Sequence, residues 1–180
     1  MNLHSDLHKR RIDLVAFLGA LCLFLSTVEY LFPKPIPFMR LGLANLPILV
    51  SLHLLPFPYL MLLTLVKVAG QGLVNGTLAS YVFIFSVAGS YSSVLAMYAV
   101  SRISGRFLSL VGISLVGSLT SNAVQVLLSI FFIFGKNAVM IAPLFLGIGT
   151  ISGLVIGLIA EKFVERSRWH AELRRLYAPE

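Results

Sequence analysis

The chain has 180 residues, of which 58% are hydrophobic and 12% charged, with a mean hydropathy of +0.93. A soluble domain of this size cannot bury so much apolar surface. The net charge of +7 invites a nucleic-acid partner, but the placement of the charges argues against one.

Apolar runs near twenty residues mark helices that cross a hydrocarbon core of about 30 Å. The alternating short strands of a membrane barrel are absent. The expected fold class is all-α, a polytopic membrane protein with six transmembrane helices. Breakers place the spans at about 13–32, 41–55, 57–75, 79–101, 108–135 and 138–161, with 162–180 as an interfacial or cytoplasmic tail. No repeat and no soluble domain is visible, so 1–180 reads as a single integral membrane domain.

The first span is not a secretory signal: it is long, lacks a small-residue cleavage site, and further spans follow. It carries the single cysteine, Cys22, so no intrachain disulfide is possible. Ala16 and Ala20, with Gly19 beside them, give it a small-residue face. Glu29 near its outer end is the only acid between Asp13 and Glu161. A lone buried carboxylate protonates or seeks a cation, and Lys67, Arg40 and Lys34 are the available partners.

A loop with Pro33, Pro35 and Pro37 follows and delivers Arg40, then Asn45 at the start of a short second span. Prolines stiffen the connection. It reads either as a rigid lid over a polar pocket or as a rigid loop with a headgroup anchor. His53, near the inner end of that span, reads as bland. In the third span Lys67, Gln71 and Asn75 recur at i, i+4 and i+8 and share one face. A lysine at bilayer depth costs about 2.5–3.5 kcal/mol on insertion scales, so it should face the bundle interior or a wet cavity. The stripe lines a cavity or forms a helix–helix hydrogen-bond ladder.

The fifth span adds Asn122 and Gln125, neighbours on one face, with Thr120 and Ser121 beside them. Such amides link helices or bind a polar ligand equally well. The sixth span holds Gly149, Gly153 and Gly157, a packing face for a neighbouring helix. In the tail, Phe163, Trp169, Leu173 and Leu176 alternate with charges in the manner of an interfacial helix. No cluster of cysteine, histidine and acid suggests a metal site, and no cofactor is expected.

Orientation follows the Lys/Arg bias. With the N-terminus inside, Lys9, Arg10, Arg11, Arg102, Arg106, Lys162, Arg166, Arg168, Arg174 and Arg175 are cytoplasmic. Lys34, Arg40 and Lys136 lie outside, and Lys67 is intramembrane. The expected location is a bacterial inner (cytoplasmic) membrane with both termini cytoplasmic. The basic charge then lies against anionic lipid and not nucleic acid.

The stretch "LSTVEYLFPKPIPFMRLGLANLPILVSL" resembles the N-terminal signature of the Gx transporter family, also labelled heptaprenyl diphosphate synthase component I. The matching features are Glu29, the prolines 33–37, Arg40 and Leu41 to Asn45. The third-span group Lys67, Gly70, Gly72 and Asn75 and the run Asn122 to Gln125 are similar as well. The family often has a histidine where Ser121 stands, which counts against a proton-relay or histidine-ligand role here.

The layout is similar to S components of energy-coupling factor transporters. That similarity implies capture of a vitamin-like molecule from the outside, with Ala16 and Ala20 meeting a shared coupling subunit. No Walker A sequence is present, so any ATP-driven step belongs to partner ATPases.

Three functions remain open from the sequence. One is a substrate-binding or transport subunit for a small vitamin-like or anionic solute, using Glu29, Arg40, Asn45, Lys67, Gln71, Asn75, Asn122 and Gln125. Another is a membrane subunit in prenyl diphosphate synthesis. The chain is not expected to be an enzyme, because prenyl transfer needs aspartate-rich clusters that hold Mg²⁺ on the diphosphate and its only aspartates are Asp6 and Asp13, both outside the bundle. The third is a scaffold in a flavin or electron-transfer assembly.

Overall fold

The computed structural model describes residues 3–31, 42–105 and 107–177. Arg40, Lys34 and the proline-rich loop lie outside the described residues. The helices are α1 Leu3–Leu31, α2 Leu46–Ser51, α3 Phe57–Val74, α4 Tyr81–Ser104, α5 Leu110–Ser129, α6 Ala142–Arg166 and α7 Arg168–Tyr177. Between α5 and α6 run a π-helical turn, Ile130–Phe134, and a 3-10 segment, Gly135–Ile141. The fold is all-α, with no strand among the described residues.

Among the described residues, five stretches are long and apolar enough to cross a membrane: Leu7–Glu29, Phe57–Val74, Tyr81–Ser104, Leu110–Phe134 and Asn137–Arg166. The span expected at 41–55 differs from these. Its described part is a 3-10 turn, Leu43–Asn45, then the six residues of α2 and a turn. Gly42, at φ 85 in the left-handed region, bends the entry. α2 completes under two turns, and Pro56 disfavours helix at Leu55, so the turn after α2 does not run on into α3.

This segment nevertheless makes a crossing. Gly19 packs on Val66, Leu23 on Gly70, and His8 on Tyr59, so α1 and α3 run parallel. The chain between them must return from the far end of α1 to the start of α3, and residues 42–56 do so. Their side chains are enclosed: Ile48, Leu49, Val50, Leu52, Leu54 and Leu55 are each at most 4% exposed. Irregular backbone at membrane depth is tolerated where protein shelters it from lipid.

The other crossings alternate. Along the α5–α6 contact, Gly149 faces Asn122, Gly153 faces Ser118, and Gly157 faces Val111 and Ser114. A β-carbon on Gly157 would sit 2.6 Å from the Val111 α-carbon. That approach is what backbone-to-backbone packing of small residues allows. On the outside Phe24, Leu65, Ile151 and Phe131 are more than half exposed, as a lipid-facing surface should be.

The tail is not a continuation of α6. Ser167 turns extended, at ψ 108, and its hydroxyl accepts from the His170 N–H, capping α7. α7 folds back on the first half of α1, beside Arg10, Asp13 and Leu14, with Trp169 edge-on to Phe17 at 5.8 Å. His170, 3% exposed, holds its Nε2 3.2 Å from the Val50 carbonyl oxygen. The start of α1, the end of α4 and α7 therefore share one end of the bundle. Lys9, Arg10, Arg11, Arg102, Lys162, Arg166, Arg168, Arg174 and Arg175 belong to these elements and the end of α6.

Candidate functional site, a polar cavity around Lys67

At the heart of the bundle α1, α3, α4, α5 and α6 converge on a cavity of about 30 Å³. Glu29, Asn45, Lys67, Gln71, Asn122 and Gln125 all line it. The run "LGLAN" forms its wall, and each residue after the undescribed Leu41 has a task. The bend at Gly42 turns two successive backbone N–H groups, of Gly42 and Leu43, toward Glu29 Oε2 at 3.1 and 3.0 Å. These bonds to a carboxylate are charge-assisted. They pin the returning chain to the end of α1. Leu43 packs against the core, and Ala44, 1% exposed, lines the cavity.

Asn45 occupies the N-cap position of α2, where its side-chain oxygen would ordinarily accept from the next turn. No such bond forms. The oxygen accepts instead from the Lys67 ammonium. Lys67, 3% exposed, also donates to Ser90 Oγ at 3.0 Å. A mid-span cation is thus held by hydroxyl and amide oxygens drawn from the α2 cap and α4. One turn further on, Gln71 donates to Ser26 of α1.

The two amides of α5 divide their work. Asn122 Nδ2 donates to the Phe145 carbonyl oxygen at 3.1 Å, joining α5 to α6, and Gly149 leaves the room for it. Gln125 Nε2 donates to Ser121 Oγ at 3.1 Å, while its Oε1 is buried with no protein partner. Ser86 Oγ, also on the cavity wall, is in the same state. Buried polar atoms left unpaired cost about 1–3 kcal/mol each. Two of them beside one void are suited to a hydrogen-bonding guest.

Some expected residues fall elsewhere. Asn75 does not line the cavity: α3 ends at Val74, and Asn75 is its C-terminal cap. Its N–H still bonds the Gln71 carbonyl oxygen at 3.0 Å, so it keeps the helical register and lies one turn beyond Gln71, past the last α3 residue on the cavity wall. Arg40 lies outside the described residues. Ala16 and Ala20 are exposed, whereas Gly19 between them turns inward to Val66. His8 bonds the Tyr59 hydroxyl at 2.6 Å.

Sequence reading passed over the serines. Ser86 and Ser90 of α4, Ser118 of α5 and Ser152 of α6 complete the wall. Ser86, Ser90 and Ser93 stand at i, i+4 and i+7 in "SVAGSYSS", the spacing of one helix face, and that signal was available.

The model of the family described as heptaprenyl diphosphate synthase component I matches residues 18–163. The chain belongs to that family. No curated protein and no solved structure gives a significant match. The matched region runs from the middle of α1 almost to the end of α6 and contains the whole cavity wall.

Proposed function

We propose that this member of the heptaprenyl diphosphate synthase component I family is a non-catalytic, solute-binding transport subunit whose cargo is read by the cavity around Lys67. The carrying observation is a buried ammonium bordered by the two unpartnered polar atoms, Gln125 Oε1 and Ser86 Oγ. Ionisable residues at membrane depth mark substrate and ion pathways. The donor set suits an anionic or amide-bearing group on a small vitamin-like solute. In the present arrangement the cavity of about 30 Å³ accommodates a water or two. A drug-sized solute needs a few hundred Å³, so binding requires the helices around α3 to part.

The Lys/Arg bias supports a cytoplasmic placement of the end carrying α7 in a bacterial inner membrane. Cargo then enters from the opposite face, at the Glu29 end of α1. Energy comes from partners, a coupling membrane subunit with ATPases, and the exposed Ala16 and Ala20 face of α1 is the surface offered to the coupling subunit. Arg40 belongs to this proposal as a cationic group on the entry side.

The family description supports a second reading, that of a membrane component of a prenyl diphosphate synthase whose catalytic carboxylates reside in a separate chain. Native mass spectrometry of protein purified in mild detergent separates the two. The first reading expects a retained non-lipid mass, absent from Lys67→Met and Gln125→Leu and kept by Asn75→Ala. Equal retention in all four proteins refutes the cavity as the site. A co-purifying soluble synthase with no small molecule favours the second.

A further inference from the structure

At the α7 end of the bundle, remote from the Lys67 cavity, a second cleft of about 290 Å³ opens between the turn after α2, the first turn of α3, the last turn of α4 and α7. His53, Tyr98, Ser101, Arg102 and Arg174 supply its polar wall, and Phe57 its apolar side. No carboxylate lines it. Arg102 is held over the Tyr98 ring at 5.5 Å, and that ring packs on Phe57 at 4.9 Å. One guanidinium is thus fixed on the α4 wall while Arg174 reaches in from α7.

Ordinary surface arginines at a membrane interface spread into water or onto headgroups. Here two converge from different helices on one concavity, and among the described residues no acid forms an ion pair with either. The first turn of α3 and the C-terminal end of α4 both line the cleft, so the positive end of one helix dipole and the negative end of the other offset, and the two guanidinium groups set the field. His53 stands on the same wall as the two arginines.

We propose that this cleft is a binding site for a phosphate or diphosphate group, clamped between Arg102 and Arg174. Paired guanidinium groups match the geometry of phosphate oxygens and bind them with forked hydrogen bonds. Ser101 and Tyr98 stand at the same wall. The group arrives either on an anionic lipid, whose headgroups lie at this level, or on a soluble phosphate compound. The site is independent of the solute cavity, and its failure would leave that reading intact.

The test uses full-length protein in nanodiscs of neutral phosphatidylcholine, titrated with inorganic pyrophosphate in a calorimeter. In parallel, native mass spectrometry measures retention of phosphatidylglycerol. The Arg102→Gln/Arg174→Gln double variant is compared with Arg166→Gln/Arg168→Gln, which removes equal charge from the same end outside the cleft. Losing two charge-assisted contacts should weaken binding about tenfold or more, with the control pair near wild type. Loss of pyrophosphate binding identifies a soluble source, and loss of retained lipid identifies the headgroup. Equal weakening in both double variants, or none in either, overturns the proposal.

Discussion

Lys67 and Asn45 meet side chain to side chain: the ammonium in α3 donates to the amide oxygen at the N-cap of α2. The contact takes from α2 the oxygen that would cap it and gives it to a charge buried at 3% exposure. The short return crossing is therefore oriented from the cavity, and the two features depend on each other.

Unequal effects of the two single substitutions follow from that contact. Asn45→Leu leaves a buried ammonium short of an acceptor and should destabilise the protein by about 2–3 kcal/mol. Lys67→Met removes the charge and its desolvation together and should be near neutral for folding. Thermal unfolding in detergent reads both, and equal losses would contradict this account.

Glu29 anchors the returning chain through the Gly42 and Leu43 N–H groups. Glu29→Ala strands both donors and should cost about 2–4 kcal/mol, whereas Glu29→Gln keeps an acceptor and should lose less. If the two unfold together at the wild-type temperature, the anchor is immaterial.

Glycines of α6 should separate by what faces them. Gly157→Ala presses a methyl into the Val111 backbone and is expected to destabilise by about 1–3 kcal/mol. Gly147, on the same helix, has nothing within 4 Å of an added β-carbon. Gly147→Ala should therefore be neutral or stabilising by up to about 1 kcal/mol. Unfolding measurements that rank them the other way would refute the α5–α6 packing.

Docking of α7 should be lost on acidification. Burial is the largest cause holding the His170 pKa below the usual histidine value, with Arg174 adding repulsion, although the Val50 carbonyl bond pulls the other way. The folded state thus prefers the neutral ring. The stabilisation is complete above the unfolded value of about 6.5 and fades as pH falls through the lower folded value. The protection of the Arg168–Tyr177 amides against hydrogen exchange, taken relative to the intrinsic rate at each pH, should fall below about pH 6.5, and His170→Gln should flatten that dependence. An exchange rate for wild-type α7 that follows only the intrinsic pH trend would exclude the coupling.

The cavity residues that could be picked out from sequence share one property. Glu29, Lys67, Gln71, Asn122 and Gln125 are costly groups inside apolar runs, and cost confines them to the bundle interior whatever the detailed packing. The serines escaped notice because a helical serine can satisfy itself on its own backbone, as Ser92 does on the Ala88 carbonyl, and so carries little positional information. Asn75 shares the helical register of the stripe but lies a turn beyond the cavity, and periodicity fixes a face without fixing how far along it the cavity reaches.

Membrane residence and the long helices were settled by the chain's chemistry, because hydrocarbon rewards twenty apolar residues in any sequence context. The length of α2 was not, since a crossing wrapped in protein need not be a full helix, and only the contacts on its far sides reveal that shelter. Nor could spacing tell which amide of α5 ties helices and which keeps a free oxygen. That choice belongs to Phe145 and Gly149 on α6, residues brought within reach of Asn122 by the fold alone.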